Sequence, residues 1–297
     1  MDHIDHSRKG MEGTSIVRNE VIEERHREAW NSLLGIDAQK NQLLAWAALS
    51  LRAGSLDRNA TAVNRLALVE GPPGTGKTSL ARNLGAPLST IAESAVRVIE
   101  FASHEAMSGE HGRTQREVHR ILTETVPHLA GADITVLVVD EVEALAIHRG
   151  QVSLEANPVD VHRTTDAAIT ALDLLADICP NVVTVMTTNF PEIVDSALRS
   201  RTDVTVAIPL PTKEAVQEII QSTLKAWSRE FPDLKAVIDH PSISSVSEEL
   251  AAKGIDARQS RKFVLDVLSS DLELASDPRR LTATHLGQAA QRWKGIQ

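Results

Sequence analysis

The sequence predicts an α/β protein in which a parallel sheet flanked by helices is followed by a small all-α domain. Strand-like and helix-like patterns alternate over residues 60–208, and this alternation is typical of parallel strands joined by helices. The prolines of IPLPT, residues 208–212, then interrupt the pattern as a hinge would, and four helical patterns follow. We expect a large α/β domain at 31–209 and a small helical domain at 210–297. A charged N-terminal segment at 1–30 precedes the first clear helix, and the sequence leaves its flexibility open.

Composition excludes several classes of protein. The 297 residues are 42% hydrophobic, enough for a buried core, and carry a formal net charge of −9, which argues against a nucleic-acid partner. Tyrosine is absent and aromatic residues total 3%, so platforms for stacking single-stranded bases are few. One cysteine excludes an internal disulfide, no apolar run approaches the ~20 residues that cross a bilayer, and no secretory signal is apparent. These features favour a cytoplasmic protein with no membrane partner.

The stretch LVEGPPGTGKTSLARNLG, residues 68–85, predicts a nucleotide site. It fits G-x-x-x-x-G-K-[ST], with an apolar strand before the loop and a helix after it. Lys77 would reach the β- and γ-phosphates, and Thr78 would offer its hydroxyl to Mg²⁺. A chance match to a glycine-rich turn is the alternative. The predicted nucleotide contacts are Gly71, Pro72, Pro73, Gly74, Thr75, Gly76, Lys77, Thr78 and Ser79.

Two further predicted strands end in polar residues. ITVLVVDE ends in Asp140, which would hold Mg²⁺ through water, and Glu141, which would polarise the attacking water as general base. Capping of the next helix would explain either acid alone. NVVTVMTTNF ends near Asn189, which could orient the lytic water or simply serve as a turn residue. Together with Lys77, these residues predict hydrolysis of ATP with Mg²⁺ as cofactor.

The order of these motifs, followed by DSALRSRTD, resembles the AAA+ ATPases, a class of P-loop NTPases. The spacing from Asp195 to Asp203 is two residues shorter than in most of the AAA clade and is similar to that of the pachytene-checkpoint (thyroid-receptor-interactor) family. GIDARQSRKF resembles that family's G-L-S-G-R followed by R-K, and the resemblance spans about residues 40–290. It implies that Arg201 is an arginine finger and Arg258 the second-sensor arginine, with Arg199 left over.

Both arginines have plainer alternatives. Arg201 follows the predicted strand that ends near Asn189. A guanidinium there could point at the γ-phosphate of a neighbouring subunit, and that role requires an oligomer. Otherwise it is an exposed arginine paired with Asp195 or Asp203. Arg258 begins an amphipathic helix, so it could be a solvated residue at a helix start.

The resemblance also implies two loops that line a central pore. In HEAMSGEHGRT, the family's K-aromatic-apolar-G-E pattern places Met107 in the aromatic position, with Ser108 and Gly109 beside it. Methionine can contact many peptide sequences without selecting one, although Met107 could instead pack into the core. In the second loop, HRGQVSLEANPVD, His148 could face the pore. The eleven histidines show no metal-ligand spacing.

The resemblance implies an ATP-hydrolysing homohexamer that engages and partly unfolds a HORMA-domain protein. Such a protein would convert its substrate from a closed to an open state and so disassemble a signalling complex. The compact chain looks like bacterial members, which act as negative regulators of anti-phage signalling beside cyclic-oligonucleotide synthases. The alternatives are a nucleic-acid machine of the clamp-loader or initiator type, a remodeller of a different protein, and a module that uses nucleotide only as a switch.

Overall fold

A single sheet organises the N-terminal two thirds of the described chain. The computed structural model describes residues 15–103, 111–145 and 158–294. The strands are β1 Ile16–Val21, β2 Leu66–Glu70, β3 Val96–Ala102, β4 Ile134–Asp140, β5 Val182–Thr188 and β6 Val204–Ala207. Within the described residues these strands form one sheet in the spatial order β1-β3-β4-β5-β2-β6. The β1–β3 pair is antiparallel, and the other neighbouring pairs are parallel.

The helices around this sheet follow the alternation that the sequence predicts. They are α1 Glu24–Asn31, α2 Asp37–Arg52, α3 Arg58–Thr61, α4 Lys77–Asn83, α5 Gly85–Ala92, α6 His111–Arg120, α7 Val126–Ala130, α8 Pro158–Ile178 and α9 Ser196–Arg199. A π-helical turn at Ile121–Thr125 joins α6 to α7. Short 3₁₀ turns lie at Ala53–Ser55, Val142–Ala144 and Pro191–Ile193.

Strand burial explains why the sequence pattern is easy to interpret here. Every residue of β5 is buried, and in β4 the five residues between its two ends are buried. Parallel strands covered on both faces give such continuous apolar runs. Cys179, between α8 and β5, belongs to the same buried core, and burial raises the pKa of its thiol despite the nearby Arg65.

The C-terminal part of the chain is helical. Its helices are α10 Lys213–Trp227, α11 Lys235–Ile238, α12 Ser242–Ala252, α13 Ala257–Leu268, α14 Leu272–Ser276 and α15 Ala283–Arg292, with 3₁₀ turns at Pro232–Leu234 and Pro278–Arg280. Val216, Ile220 and Leu224 recur every four residues on α10 and are fully buried in a core of their own. The predicted fold class, a mostly parallel sheet flanked by helices and followed by a helical domain, is confirmed.

The described chain divides into two compact units. The first contains the residues up to Ser32 together with Ala38–Gly71 and Lys77–Ala207. The second contains Leu33–Asp37, Pro72–Gly76 and the residues from Ile208 onward. The tip of the predicted phosphate loop, Pro72–Gly76, therefore belongs to the same unit as the C-terminal helices. The strands of the sheet belong to the other unit.

The N-terminal segment differs from the expectation. The predicted N-terminal segment, 1–30, contains β1 and nearly all of α1, and both belong to the first unit. In β1, Ile16 and Glu20 are buried while Val17 and Val21 are exposed. Because a buried position is occupied by a glutamate, the hydrophobic alternation that would reveal a strand is absent from the sequence.

Within the described residues, no helix is both long and apolar enough to cross a bilayer.

Candidate functional site

Asp140 lies at the carboxyl end of β4, where two threonine hydroxyls converge on it. Thr78 Oγ1, on α4, donates to Asp140 Oδ1 at 2.7 Å. Thr187 Oγ1, on β5, donates to the same oxygen at 2.6 Å. The predicted Mg²⁺ residues Thr78 and Asp140 are therefore in direct contact, and Thr187 is a third member that the sequence analysis did not identify.

Glu141 and Asn189 are also brought together. The Glu141 backbone N–H donates to Thr187 Oγ1 at 3.2 Å, and Asn189 Nδ2 donates to Glu141 Oε1 at 3.2 Å. Glu141 has a φ of 53°, a left-handed conformation that non-glycine residues adopt infrequently and that is found often at functional sites. The Asn189 backbone N–H donates to the buried carboxylate of Glu143 at 3.2 Å, which fixes the turn after β5.

The predicted phosphate loop connects β2 to α4. Lys77, the first residue of α4, is buried, with 5% of its surface exposed. Ser79 lies one residue after Thr78 on α4, and its carbonyl accepts from Asn83 Nδ2 at 2.7 Å. Thr75 Oγ1 donates to the Pro72 carbonyl at 2.9 Å, closing the tip of the loop.

In the second unit, Gly74 lies against the start of α13. Its φ is 76°, and an added Cβ would overlap the carboxylate of Asp256, so only glycine fits. Asp256 caps α13 by accepting from the Gln259 N–H at 2.7 Å. The Arg258 backbone N–H donates to the Gly74 carbonyl at 3.1 Å, and the Arg258 side chain is exposed. Arg258 therefore contacts the loop through its backbone.

Arg201 is paired with neither of the partners considered from the sequence. Its Nε donates to Asp173 Oδ2, on α8, at 2.9 Å, and its Nη1 donates to the Ala197 carbonyl at 2.9 Å. About a third of its side chain stays exposed (36%). Asp195 instead caps α9 by accepting from the Ala197 N–H at 2.8 Å.

Asp203 anchors the strand that leads to the phosphate loop. It accepts from the N–H groups of Asn64 (2.7 Å) and Leu66 (3.2 Å) and from the Trp46 indole at 3.1 Å. Asn64 Nδ2 in turn donates to the Arg201 carbonyl at 2.9 Å. The segment that contains Arg201 is thus hydrogen-bonded, through Asp203, to Leu66, the first residue of β2.

Arg199 is the remaining arginine of this segment. Its Nη2 donates to Glu70 Oε2 at 3.1 Å and to the Pro191 carbonyl. Glu70 is the last residue of β2, immediately before the phosphate loop. Arg199 therefore contacts β2, the strand that precedes the phosphate loop, within its own chain.

Residues that would bind Mg²⁺ can be tested for fit against the described geometry. Hydroxyl and carboxylate oxygens, here those of Thr78, Thr187 and Asp140, are the hard ligands that Mg²⁺ prefers, and Mg²⁺ commonly keeps several waters and uses one or two carboxylates. No group of three or more His, Cys, Asp or Glu side chains that could hold a metal occurs within the described ranges. The site therefore fits Mg²⁺ bound with a nucleotide and does not resemble an all-protein metal site.

The predicted pore-loop residues lie outside the described residues. They are Met107, Ser108, Gly109 and His148.

Comparison with known proteins agrees with this geometry. The family model described as "ATPase family associated with various cellular activities (AAA)" matches residues 67–210. CD-NTase-associated protein 6 of Pseudomonas aeruginosa is 38% identical over 272 residues, covering 91% of this chain and 89% of the relative. The chain belongs to the AAA+ ATPases of the pachytene-checkpoint (thyroid-receptor-interactor) family.

The chain spans about half the length of the plant relative that it matches and nearly all of the matching chain in one solved structure. The pachytene checkpoint protein 2 homolog of Oryza sativa subsp. indica is 32% identical over 208 residues, which cover 67% of this chain and 44% of the relative. Among solved structures, C. elegans PCH-2 covers 93% of this chain and 75% of its own, with a TM-score of 0.73 at 21% identity. The E. coli MS115-1 HORMA:CdnC:Trip13 complex contains a chain that matches with a TM-score of 0.74 at 18% identity, covering 95% of this chain and 96% of that one. These two structures support the fold.

Proposed function

We propose that this AAA+ ATPase remodels a HORMA-domain protein and acts as a homohexamer. The observation that carries the proposal is the 38% identity to CD-NTase-associated protein 6 over nearly the whole of both chains. The fold match to a chain of a complex that contains a HORMA protein, CdnC and Trip13 supports the same substrate class. The anticipated outcome of remodelling is a change of the HORMA protein from a closed to an open state, which disassembles its signalling complex and limits anti-phage signalling.

The contacts within the first unit support a role for each residue in hydrolysis. Lys77 would bind the β- and γ-phosphates. Thr78, and Asp140 through water, would hold Mg²⁺, which would neutralise charge on the phosphate oxygens. Glu141 accepts the proton of the attacking water, and the amide of Asn189 orients Glu141 through their hydrogen bond. Thr187 fixes both acids, since it donates to Asp140 and accepts from the Glu141 N–H.

Arg201 acts in trans under this proposal. An arginine finger stabilises the charge that develops on the transferring phosphoryl group of a neighbouring site. The partial exposure of Arg201 and its contact with Asp173 support a guanidinium that is held in place yet accessible to another subunit. The glycines and prolines of the phosphate loop and Arg258 remain predicted nucleotide contacts, and Met107, Ser108, Gly109 and His148 remain predicted pore-loop residues.

The domain boundaries also remain predictions. The scheme of an ATPase domain at 31–209 and a lid at 210–297 is supported by the division of the chain between Ala207 and Ile208. The packing of β1 and α1 in the first unit extends our proposed ATPase domain toward the N-terminus, to residue 16.

A substrate trap tests the proposal. Glu141→Gln removes the general base and leaves the nucleotide contacts in place, so we expect ATP to stay bound and turnover to stop. The variant is expressed in its native cell, and proteins that remain bound at the size of a hexamer in ATP are identified by mass spectrometry. Recovery of a HORMA-domain protein is the expected result.

The matched control is Glu141→Gln combined with Lys77→Ala, which should neither bind ATP nor retain substrate. Recovery of DNA, or of an unrelated protein that the control does not retain, would replace the proposed substrate. Undiminished turnover by Glu141→Gln would remove Glu141 from the role of base.

A further inference from the structure

A network of charged residues surrounds the buried carboxylates of Glu20 and Glu100 and includes Arg82 of α4. The nucleotide contacts proposed above do not use it. Glu100, on β3, is only 3% exposed and accepts from two arginines. Arg18 Nε, on β1, donates to Glu100 Oε2 at 3.1 Å, and Arg82 Nη2, on α4, donates to Glu100 Oε1. A carboxylate buried to this degree requires such partners to stay charged.

The strand β1 extends the network toward the N-terminus. Arg18 Nη1 also donates to Glu20 Oε1 at 2.5 Å, and Glu20 further contacts Arg25 (2.8 Å) and His26 (3.0 Å). Burial would raise the pKa of Glu20, but its hydrogen bonds with Arg18 and His26 lower it overall. The Arg18 guanidinium, between two carboxylates, has a raised pKa despite its burial.

Arg82 connects this network to the candidate metal carboxylate. The same Nη2 that donates to Glu100 lies 4.0 Å from Asp140 Oδ2, beyond hydrogen-bond distance but close enough for a direct electrostatic interaction. The other oxygen of Asp140 accepts both threonine hydroxyls. Within the described residues, the buried Nε of Arg82 has no hydrogen-bond partner, so its guanidinium is only partly fixed.

We propose that Arg82 opposes Mg²⁺ binding at Asp140, and that Glu100 limits this effect by holding the Arg82 guanidinium away from Asp140. This inference rests on the proposed role of Asp140 toward Mg²⁺. A guanidinium near Asp140 competes with Mg²⁺ for the same carboxylate, because both groups are positively charged. The Glu100 carboxylate draws Arg82 to itself through Oε1, and Arg18 of the N-terminal strand donates to its other oxygen, Oε2. The N-terminal strand thereby contributes to the affinity of the nucleotide site for Mg²⁺.

Substitutions of Glu100 and Arg82 should change the affinity for Mg²⁺ in opposite directions. A general loss of stability would not produce opposite changes. Glu100→Gln releases Arg82 toward Asp140, so the Mg²⁺ concentration for half-maximal binding should rise about fivefold. Arg82→Gln removes the competing charge, so that concentration should fall about fivefold. The double variant should behave like Arg82→Gln, because Glu100 acts only through Arg82.

The experiment measures binding of a non-hydrolysable ATP analogue to the full chain by calorimetry, at increasing concentrations of MgCl₂ and also in EDTA. Arg97→Gln is the matched control, since Arg97 lies on the same strand as Glu100 and pairs with Asp133 at 2.9 Å, away from Asp140. Its Mg²⁺ dependence should equal that of the unchanged chain. Binding in EDTA should be the same in all variants if only the metal interaction changes.

The inference would be overturned if the Mg²⁺ concentration for half-maximal binding moved in the same direction in Glu100→Gln and Arg82→Gln, or if it did not change in Arg82→Gln. Since loss of a buried charge can prevent folding, Arg82→Gln alone is decisive if Glu100→Gln is not obtained folded. Asp140→Asn separates the two proposals. If it leaves the Mg²⁺ dependence unchanged, the metal role of Asp140 fails together with this inference; if it weakens Mg²⁺ binding while Arg82→Gln has no effect, only this inference fails.

Discussion

Thr187 shows how a single hydroxyl can connect two acids. It donates to the Asp140 carboxylate and accepts from the backbone N–H of Glu141, so the Asp140 side chain and the Glu141 backbone share one hydroxyl. The carboxylates and Asn189 are recognisable in the sequence, because each follows an apolar strand. Thr187 is not, since a threonine within an apolar strand is ordinary in a sheet and only the pairing of β5 beside β4 brings it to Asp140.

The hydroxyl of Thr187 gives a prediction at this scale. Thr187→Val keeps the shape of the side chain and removes one hydrogen bond to the Asp140 carboxylate and one from the Glu141 backbone N–H. We therefore expect the ATPase kcat to fall by about tenfold. The KM for ATP should change less, because Lys77 and the phosphate loop are untouched. Steady-state kinetics with Thr184→Val, the same change on the same strand, provides the control. Equal losses in the two variants would show a packing effect.

Strand β1 is the element that is hardest to predict from the sequence. The helices of the second unit follow the 3.6-residue apolar period, and α10 begins and ends where that pattern does. In β1 the buried positions include Glu20, whose charge is balanced by Arg18 on the same strand and by Arg25 on α1. A pattern based on hydrophobicity does not detect such a strand.

The buried carboxylate of Glu20 makes a prediction about acid stability. Its pKa lies below the ordinary 4.5, so its stabilising contribution is complete above that value and is lost as the pH falls through the lowered pKa. Glu20→Gln should lower the free energy of unfolding at pH 7 by about 1–3 kcal/mol. The difference from the unchanged chain should shrink in acid below 4.5. Urea unfolding at several pH values measures both effects.

Glu24→Gln is the control for that measurement. Glu24 forms an exposed pair with Arg27 on α1, and such pairs stabilise little. Its unfolding free energy should stay close to that of the unchanged chain at every pH. A constant difference between Glu20→Gln and the unchanged chain across this range would contradict a role for Glu20 ionisation.

At the scale of the whole molecule, the proposed ring requires each site to be completed by a neighbour. Arg201→Ala should abolish hydrolysis and leave nucleotide affinity nearly unchanged, because the arginine contacts no residue of its own nucleotide site among the contacts described. Lys77→Ala should not bind ATP, yet it retains Arg201. Mixing the two inactive proteins should therefore restore part of the ATPase activity.

Two measurements accompany this mixing experiment. Calorimetry should give nearly the same nucleotide affinity for Arg201→Ala as for the unchanged chain, and a large loss would place Arg201 in the site of its own subunit. A mixture of Lys77→Ala with Lys77→Ala/Arg201→Ala is the control and should stay inactive. Absence of recovery in the first mixture, at concentrations where the chains associate, would contradict action in trans.

The burial of Cys179 makes this protein convenient for labelling. The chain has one cysteine, and its raised pKa and enclosure in the sheet core should make it slow to react with maleimides in the native state. A second cysteine can then be labelled without replacing the first. In Met107→Cys, fast modification would indicate a side chain exposed to solvent, as the proposed pore loop requires, and a rate as slow as that of Cys179 would indicate a buried one. The modification rate of the single native thiol thus serves as an internal reference for a buried side chain at every position where a cysteine is introduced.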